Sequence, residues 1–125
     1  MRTGSGAAPY FALADRVLSG QVQLARINPA RAACWLSRRG LEDLLTELLL
    51  ARSVDPGTGN TRSRLICLAT AYADQPRLVT ALTTAWDQLS RACHHHAYEL
   101  DPTSTEARHL LTSLQRVLTH LRTAA

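Results

Sequence analysis

A chain of 125 residues with a net charge of +4 has room for one hydrophobic core and is too short for two. Its apolar fraction of 46%, with one Phe, two Trp and three Tyr, means a core of Leu, Ala and Val; such residues suit closely packed helices, whereas strands draw on more β-branched and aromatic side chains. No run nears the roughly 18 uninterrupted apolar residues that cross a bilayer, because Glu42, Asp43 and Glu47 break the stretch from Leu41 to Ala51, so a membrane protein is not expected.

The opening Met1-Arg2-Thr3-Gly4-Ser5-Gly6 has no apolar run after its positive charge, so no secretory signal is read and the expected address is cytoplasmic. Cys34, Cys67 and Cys93 are an odd number with no close pairing; buried thiols are expected, not a disulfide framework or a zinc cage. All 14 basic residues are Arg. A GC-rich genome accounts for such usage, and Arg also grips phosphate bidentately where Lys offers a point charge. Only Arg38 and Arg39 are adjacent, so no dedicated nucleic-acid stripe is visible, although a mildly basic protein is compatible with RNA.

In chain order, residues 1–8 are small and polar and are expected to be disordered. Pro9 reads as a first-turn residue, and Leu13, Val17, Leu24 and Ile27 continue at near-helical spacing, which predicts a first helix to about Arg26 with Gly20 weakening its middle. Asn28-Pro29 is an N-cap and first-turn proline, and it opens a long second helix with Ala33, Leu36, Leu41, Leu44, Leu45 and Leu48 as its apolar stripe. Gly40 within it marks a kink or a close approach by a neighbouring helix. Ser53 to Asn60 has the Pro, Gly and Asn of a loop, taken as the longest connection in the chain. A short third helix follows from Thr61 to about Ala73. Asp74 then reads as the cap of a fourth, with Pro76 in its first turn, running to Tyr98 or a little past it. The fifth begins at Asp101-Pro102; Thr103 and Glu106 fit a capping box, and Ala107, Leu110, Leu111, Leu114, Val117, Leu118 and Leu121 keep the helical period throughout.

The expected fold class is therefore all-α, an up-and-down bundle of four long helices plus one short helix, with residues 9–123 as a single helical domain.

Chemistry-bearing residues concentrate in Arg91-Ala92-Cys93-His94-His95-His96-Ala97-Tyr98, where a cation, three imidazoles and a phenol fall together. On a straight helix His96 joins the apolar side with Leu78, Leu82, Trp86, Leu89 and Cys93, while Arg91, His94, His95 and Tyr98 gather opposite. Arg91 and His96 then diverge by roughly 140°. For both to act on one atom, the helix must be irregular there or the residues must come from two subunits. A metal site is not expected, because adjacent histidines on a helix point about 100° apart and cannot converge on one ion. His109 and His120 lie outside any cluster. No Gly-rich phosphate loop, G-x-S-x-G elbow or H-E-x-x-H is present, and no cofactor is implied.

The octet resembles the signature of the HEPN superfamily, the helical domains of bacterial toxins, defence effectors and many RNA-cleaving proteins: an Arg, four to six residues, then a His, followed in one toxin branch by one residue and a Tyr. Arg91, His96 and Tyr98 fit that longer form, and the position near the end of the chain, before one last amphipathic helix, matches as well. Ala92 departs from the pattern, since many active members carry a polar residue there, often Asn. The resemblance implies a metal-independent endoribonuclease built as a symmetric homodimer, with the motifs of two subunits lining one cleft and RNA as substrate. His96 would take the proton from a ribose 2′-hydroxyl, a role suited to an unperturbed pKa of about 6.5, and Arg91 would stabilise the negative charge on the phosphoryl oxygens. Tyr98 would bond phosphate or orient the ring; in the toxin branch it is the residue that a partner nucleotidyltransferase antitoxin modifies. His94 and His95 stand outside the pattern, and His95 is kept as a further catalytic candidate able to substitute for His96. The alternative expectation is an inert helical adaptor that binds a larger protein of a defence system. A third is a nucleotide-sensing module that grips phosphate without cleavage.

Overall fold

The computed structural model describes residues 6–94 and 101–124. Five helices follow one another: α1 (Ala7–Leu18), α2 (Pro29–Ala51), α3 (Thr61–Ala71), α4 (Pro76–Cys93) and α5 (Ser104–Ala124), with no strand among the described residues. The fold is all-helical. No helix among the described residues is long and apolar enough to cross a membrane.

The second helix starts where its sequence says it should. The Asn28 side chain accepts a hydrogen bond from the Arg31 amide at 3.0 Å and Pro29 occupies the first turn, so one otherwise orphaned N–H is satisfied and one is absent. α2 is in contact with each of the other four helices. It is accordingly apolar on more than one side: Ala33, Cys34, Leu41, Leu44, Leu45 and Leu49 are all buried. Small residues in its first half and leucines in its second set how closely its neighbours approach.

At Gly40 a ring from α1 packs onto α2. A Cβ built on Gly40 would lie 2.5 Å from Cε1 of Phe11, so the missing side chain is the seat for the Phe11 ring, which is itself 2% exposed. Ala7, Ala14 and Val17 complete the buried face of α1. The helix is shorter than its apolar spacing predicts, ending at Leu18 and not near Arg26. Gly20 adopts φ +78°, its amide bonds to the Val17 carbonyl and the Gln21 amide to the Arg16 carbonyl. This is the left-handed C-terminal stop in which glycine is favoured. Leu24 and Ile27 thus belong to the connection, where Ile27 is 44% exposed. That connection, Ser19 to Asn28, is longer than the Arg52 to Asn60 loop. At the other end α1 begins at Ala7, which is buried, so the expected disordered segment of residues 1–8 overlaps the helix; residues 1–5 lie outside the described part.

Asp74 does not cap α4. Its carboxylate binds both terminal nitrogens of Arg52, at 2.8 and 3.1 Å, and the α4 cap position falls to Gln75, which makes no side-chain cap bond. Arg52 also donates to the Ala71 carbonyl and stacks 4.1 Å above the Tyr72 ring. The Tyr72 hydroxyl in turn donates to the Leu48 carbonyl at 2.6 Å. The end of α2 is thereby tied to the end of α3. The Arg52 guanidinium holds the Asp74 carboxyl below the usual carboxylate range.

The Thr103 and Glu106 capping box forms as read: the Thr103 amide donates to Glu106 and the Glu106 amide to the Thr103 hydroxyl, both at 3.0 Å. Arg108 reaches back to Asp15 and Ser19, which fastens α5 to α1.

The Gly40 seat gives a direct test. Gly to Ala in a helix interior is worth about 1 kcal/mol of propensity, whereas a methyl forced against a buried ring costs about 1–3 kcal/mol. Gly40→Ala is expected to lower the urea midpoint, and Phe11→Leu added to it to lose less than Phe11→Leu alone. A Gly40→Ala protein more stable than its parent would show that the ring is not seated on Gly40.

Candidate functional site

Helix α4 stops at Cys93 because the backbone turns extended at His94, with φ −78° and ψ 117°. The expected continuation of the helix to Tyr98 is therefore interrupted at its C-cap, and the straight-helix projection no longer places His94 with Arg91. His95, His96 and Tyr98 lie outside the described residues. Arg91 lies in the last turn of α4, where a cation meets the negative end of the helix dipole. That placement is also common for a solvated surface Arg.

Arg91 and His94 line one side of a groove of about 510 Å³, and Asp101, Thr103, Glu106 and His109 line the other. Both walls come from local structure: the end of α4 on one side, the capped start of α5 on the other. Glu106 is held ionised below the usual carboxylate range first by the Thr103 amide and then by the Thr103 hydroxyl. The groove thus holds one guanidinium, two imidazoles and two carboxylates, a set able to bind a polar ligand and to move protons.

Beneath the groove a residue that the sequence pattern does not single out organises the site. Arg31, 8% exposed, donates from Nε to Asp101 Oδ1 at 2.8 Å and from Nη2 to the same oxygen. Its Nη1 is buried and has no partner among the described residues. Asp101, the first described residue after position 94, is thereby anchored to the first turn of α2. One signal was available. A cation three residues after an N-cap stands against the helix dipole, so Arg31 called for a carboxylate from elsewhere in the chain.

The cysteines near the site are not nucleophiles. Burial pushes the Cys34 thiol up to about 12, with Cys93 and Glu106 adding to the shift and Arg31 opposing it. Burial likewise raises Cys93, against the charge and hydrogen bond of Arg38 and the charge of Arg31. Thiolates are the reactive form, so neither is poised at neutral pH. Cys67 is exposed on α3. Among the described residues no group of three or more His, Cys, Asp or Glu gathers closely enough to hold a metal ion.

Comparison with known proteins finds no matching family model, no matching curated protein and no matching solved structure.

The ion pair is asymmetric, since the Arg31 side chain is 10% exposed and that of Asp101 is 45%. Removing the aspartate strands a buried charge, at a cost of about 3 kcal/mol; removing the arginine leaves a carboxylate that water can reach, so Arg31→Met should cost about 1 kcal/mol. Chemical denaturation of Asp101→Ala and Arg31→Met should show that order, and equal losses would contradict the burial asymmetry. The thiols add an alkaline limb. A group whose pKa is higher folded than unfolded keeps its proton longer in the native state, so its stabilisation is complete below the unfolded value and is lost as pH rises through the folded one. Stability should fall between pH about 9 and about 12. The fall should be shallower in Cys34→Ala.

Proposed function

We propose that this protein is a metal-independent endoribonuclease with an HEPN-like up-and-down helical bundle, acting as a toxin or effector in a bacterial defence system. The observation that carries the reading is Arg91, which lines the groove beside His94 and stands three positions before the first of the three consecutive histidines. Cleavage without a metal requires a base for the ribose 2′-hydroxyl, a cation for the phosphoryl oxygens and an acid for the departing 5′-oxygen. His96 serves as the base, with His95 able to replace it, and the departing 5′-oxygen takes its proton from water. Arg91 neutralises the charge that builds on the phosphoryl group. Tyr98 bonds phosphate or orients the imidazole and is the residue a nucleotidyltransferase antitoxin would modify. A homodimer brings two copies of Arg91 and His96 to one cleft across a two-fold axis, since a closed symmetric pair meets itself with the same surface. The cytoplasm is where such a protein would meet its RNA.

A second reading has its own observations. Asp101 and Glu106 put two carboxylates into the groove wall, which repel phosphate, and Ala92 stands where a polar residue accompanies the Arg in many active members of that superfamily. Trp35 of α2 and Ile66 of α3 are 46% and 65% exposed, two apolar side chains open to contact with a partner. An inert adaptor bound to a larger defence protein fits these features.

The deciding experiment is cleavage of a labelled single-stranded RNA in EDTA by the parent protein and by Arg91→Ala and His96→Ala. The ribonuclease reading expects products ending in 2′,3′-cyclic phosphate and a loss of about 10²- to 10⁴-fold in each variant. Intact RNA at high concentrations of the parent protein would favour the adaptor.

A further inference from the structure

A second cavity of about 400 Å³ lies among Arg38 of α2, the start of α3 and Trp86 of α4. Arg38, Arg62 and Arg64 line it, against one carboxylate, Glu42. Glu42 is already engaged, accepting a hydrogen bond from the Thr61 hydroxyl at 2.9 Å.

The arginines of this chain fall into two groups. Arg31, Arg39, Arg52 and Arg108 each pair with an aspartate. Among the described residues, none of the three cavity arginines has such a partner within ion-pair reach. The Arg38 guanidinium lies 4.6 Å from the centre of the Trp86 ring and hydrogen-bonds Cys93; its N–H groups lie in its own plane, so stacking on the ring leaves those not turned to Cys93 open to acceptors at the edge. Among the described residues the Arg64 side chain makes two long bonds, at 3.4 Å, to the carbonyls of Pro56 and Gly57. Arg62 is exposed in the first turn of α3, where the helix dipole adds to the positive field.

Uncompensated guanidinium groups beside a cation-stacked indole form the combination that binds single-stranded nucleic acid. Arginines take the phosphates bidentately, and a guanidinium plane or an aromatic ring accepts a base by stacking. We propose that this cavity is a strand-binding subsite for single-stranded RNA, with Arg62 and Arg64 on backbone phosphates and the Arg38–Trp86 stack as the platform for a base. The choice of RNA rests on the ribonuclease reading. The subsite shares no lining residue with the groove that holds Arg91, so it contributes to affinity, not to the chemical step.

The test separates binding from cleavage by using a fluorescein-labelled 2′-O-methyl oligouridine, which has no free 2′-hydroxyl to attack. Anisotropy titrations of the full chain at several salt concentrations should show binding that weakens as salt rises. The Arg38→Gln/Arg62→Gln double variant should bind about tenfold more weakly, with the slope of log affinity against log salt reduced by about 0.7 for each phosphate that is no longer neutralised. Arg62→Gln alone, at an exposed position that does not threaten folding, should shift both in the same direction by a smaller amount. Arg26→Gln, an exposed change of equal charge outside the cavity, should leave both unchanged. Absence of binding by the parent protein, equal effects of Arg26→Gln and Arg62→Gln, or displacement of the oligomer by polyglutamate as readily as by unlabelled oligomer would each overturn the assignment. Strand binding that responds to Arg62, in a protein that leaves unmodified RNA intact, would sink the ribonuclease reading and leave the subsite standing.

Discussion

The Phe11 ring resting on Gly40 is the contact on which the rest of the packing depends. A glycine in the middle of a helix weakens that helix, and here the loss is offset by letting α1 lie directly against the backbone of α2. α2 touches all four other helices, and the same helix that seats Phe11 also carries, in its first turn, Arg31, the anchor of Asp101.

Charge is used in two ways in this molecule. Four arginines act as struts, each joined to an aspartate; three of these pairs join residues far apart in the chain, and the fourth, Arg39–Asp43, lies along one turn of α2. The three more exposed pairs contribute little to stability on their own, whereas Arg31 is buried in its pair with Asp101. Other arginines, at the groove and at the Trp86 cavity, are left without carboxylate partners among the described residues and confer on these two places a capacity for anions.

Much of the fold was legible in the amino-acid order. The Asn28-Pro29 start of α2 and the Thr103/Glu106 start of α5 were readable because capping involves residues three positions apart. The apolar period of α5 held through its buried residues. The first helix misled, since Leu24 and Ile27 continue the period beyond Gly20 and only the left-handed backbone at Gly20 shows that the helix has ended. Asp74 misled for a related reason: an aspartate before a proline reads as a cap until a distant arginine claims it. Of the site, Arg91 was legible as a cation near histidines, while Arg31 showed only as a cation in a helix first turn, with nothing local to name Asp101 as its partner.

The sequence by itself determined helical content, most helix starts and the cluster of titratable side chains, because these depend on propensity, capping and periodicity acting within a turn or two. The tertiary structure alone decided that Phe11 meets Gly40, that Arg52 takes Asp74 from α4, that Arg31 anchors Asp101 and that three arginines gather about Trp86. Arg31 and Asp101 are 70 positions apart. Two such residues interact only once their helices have docked, and docking is set by the shape of the whole apolar surface, not by any local pattern.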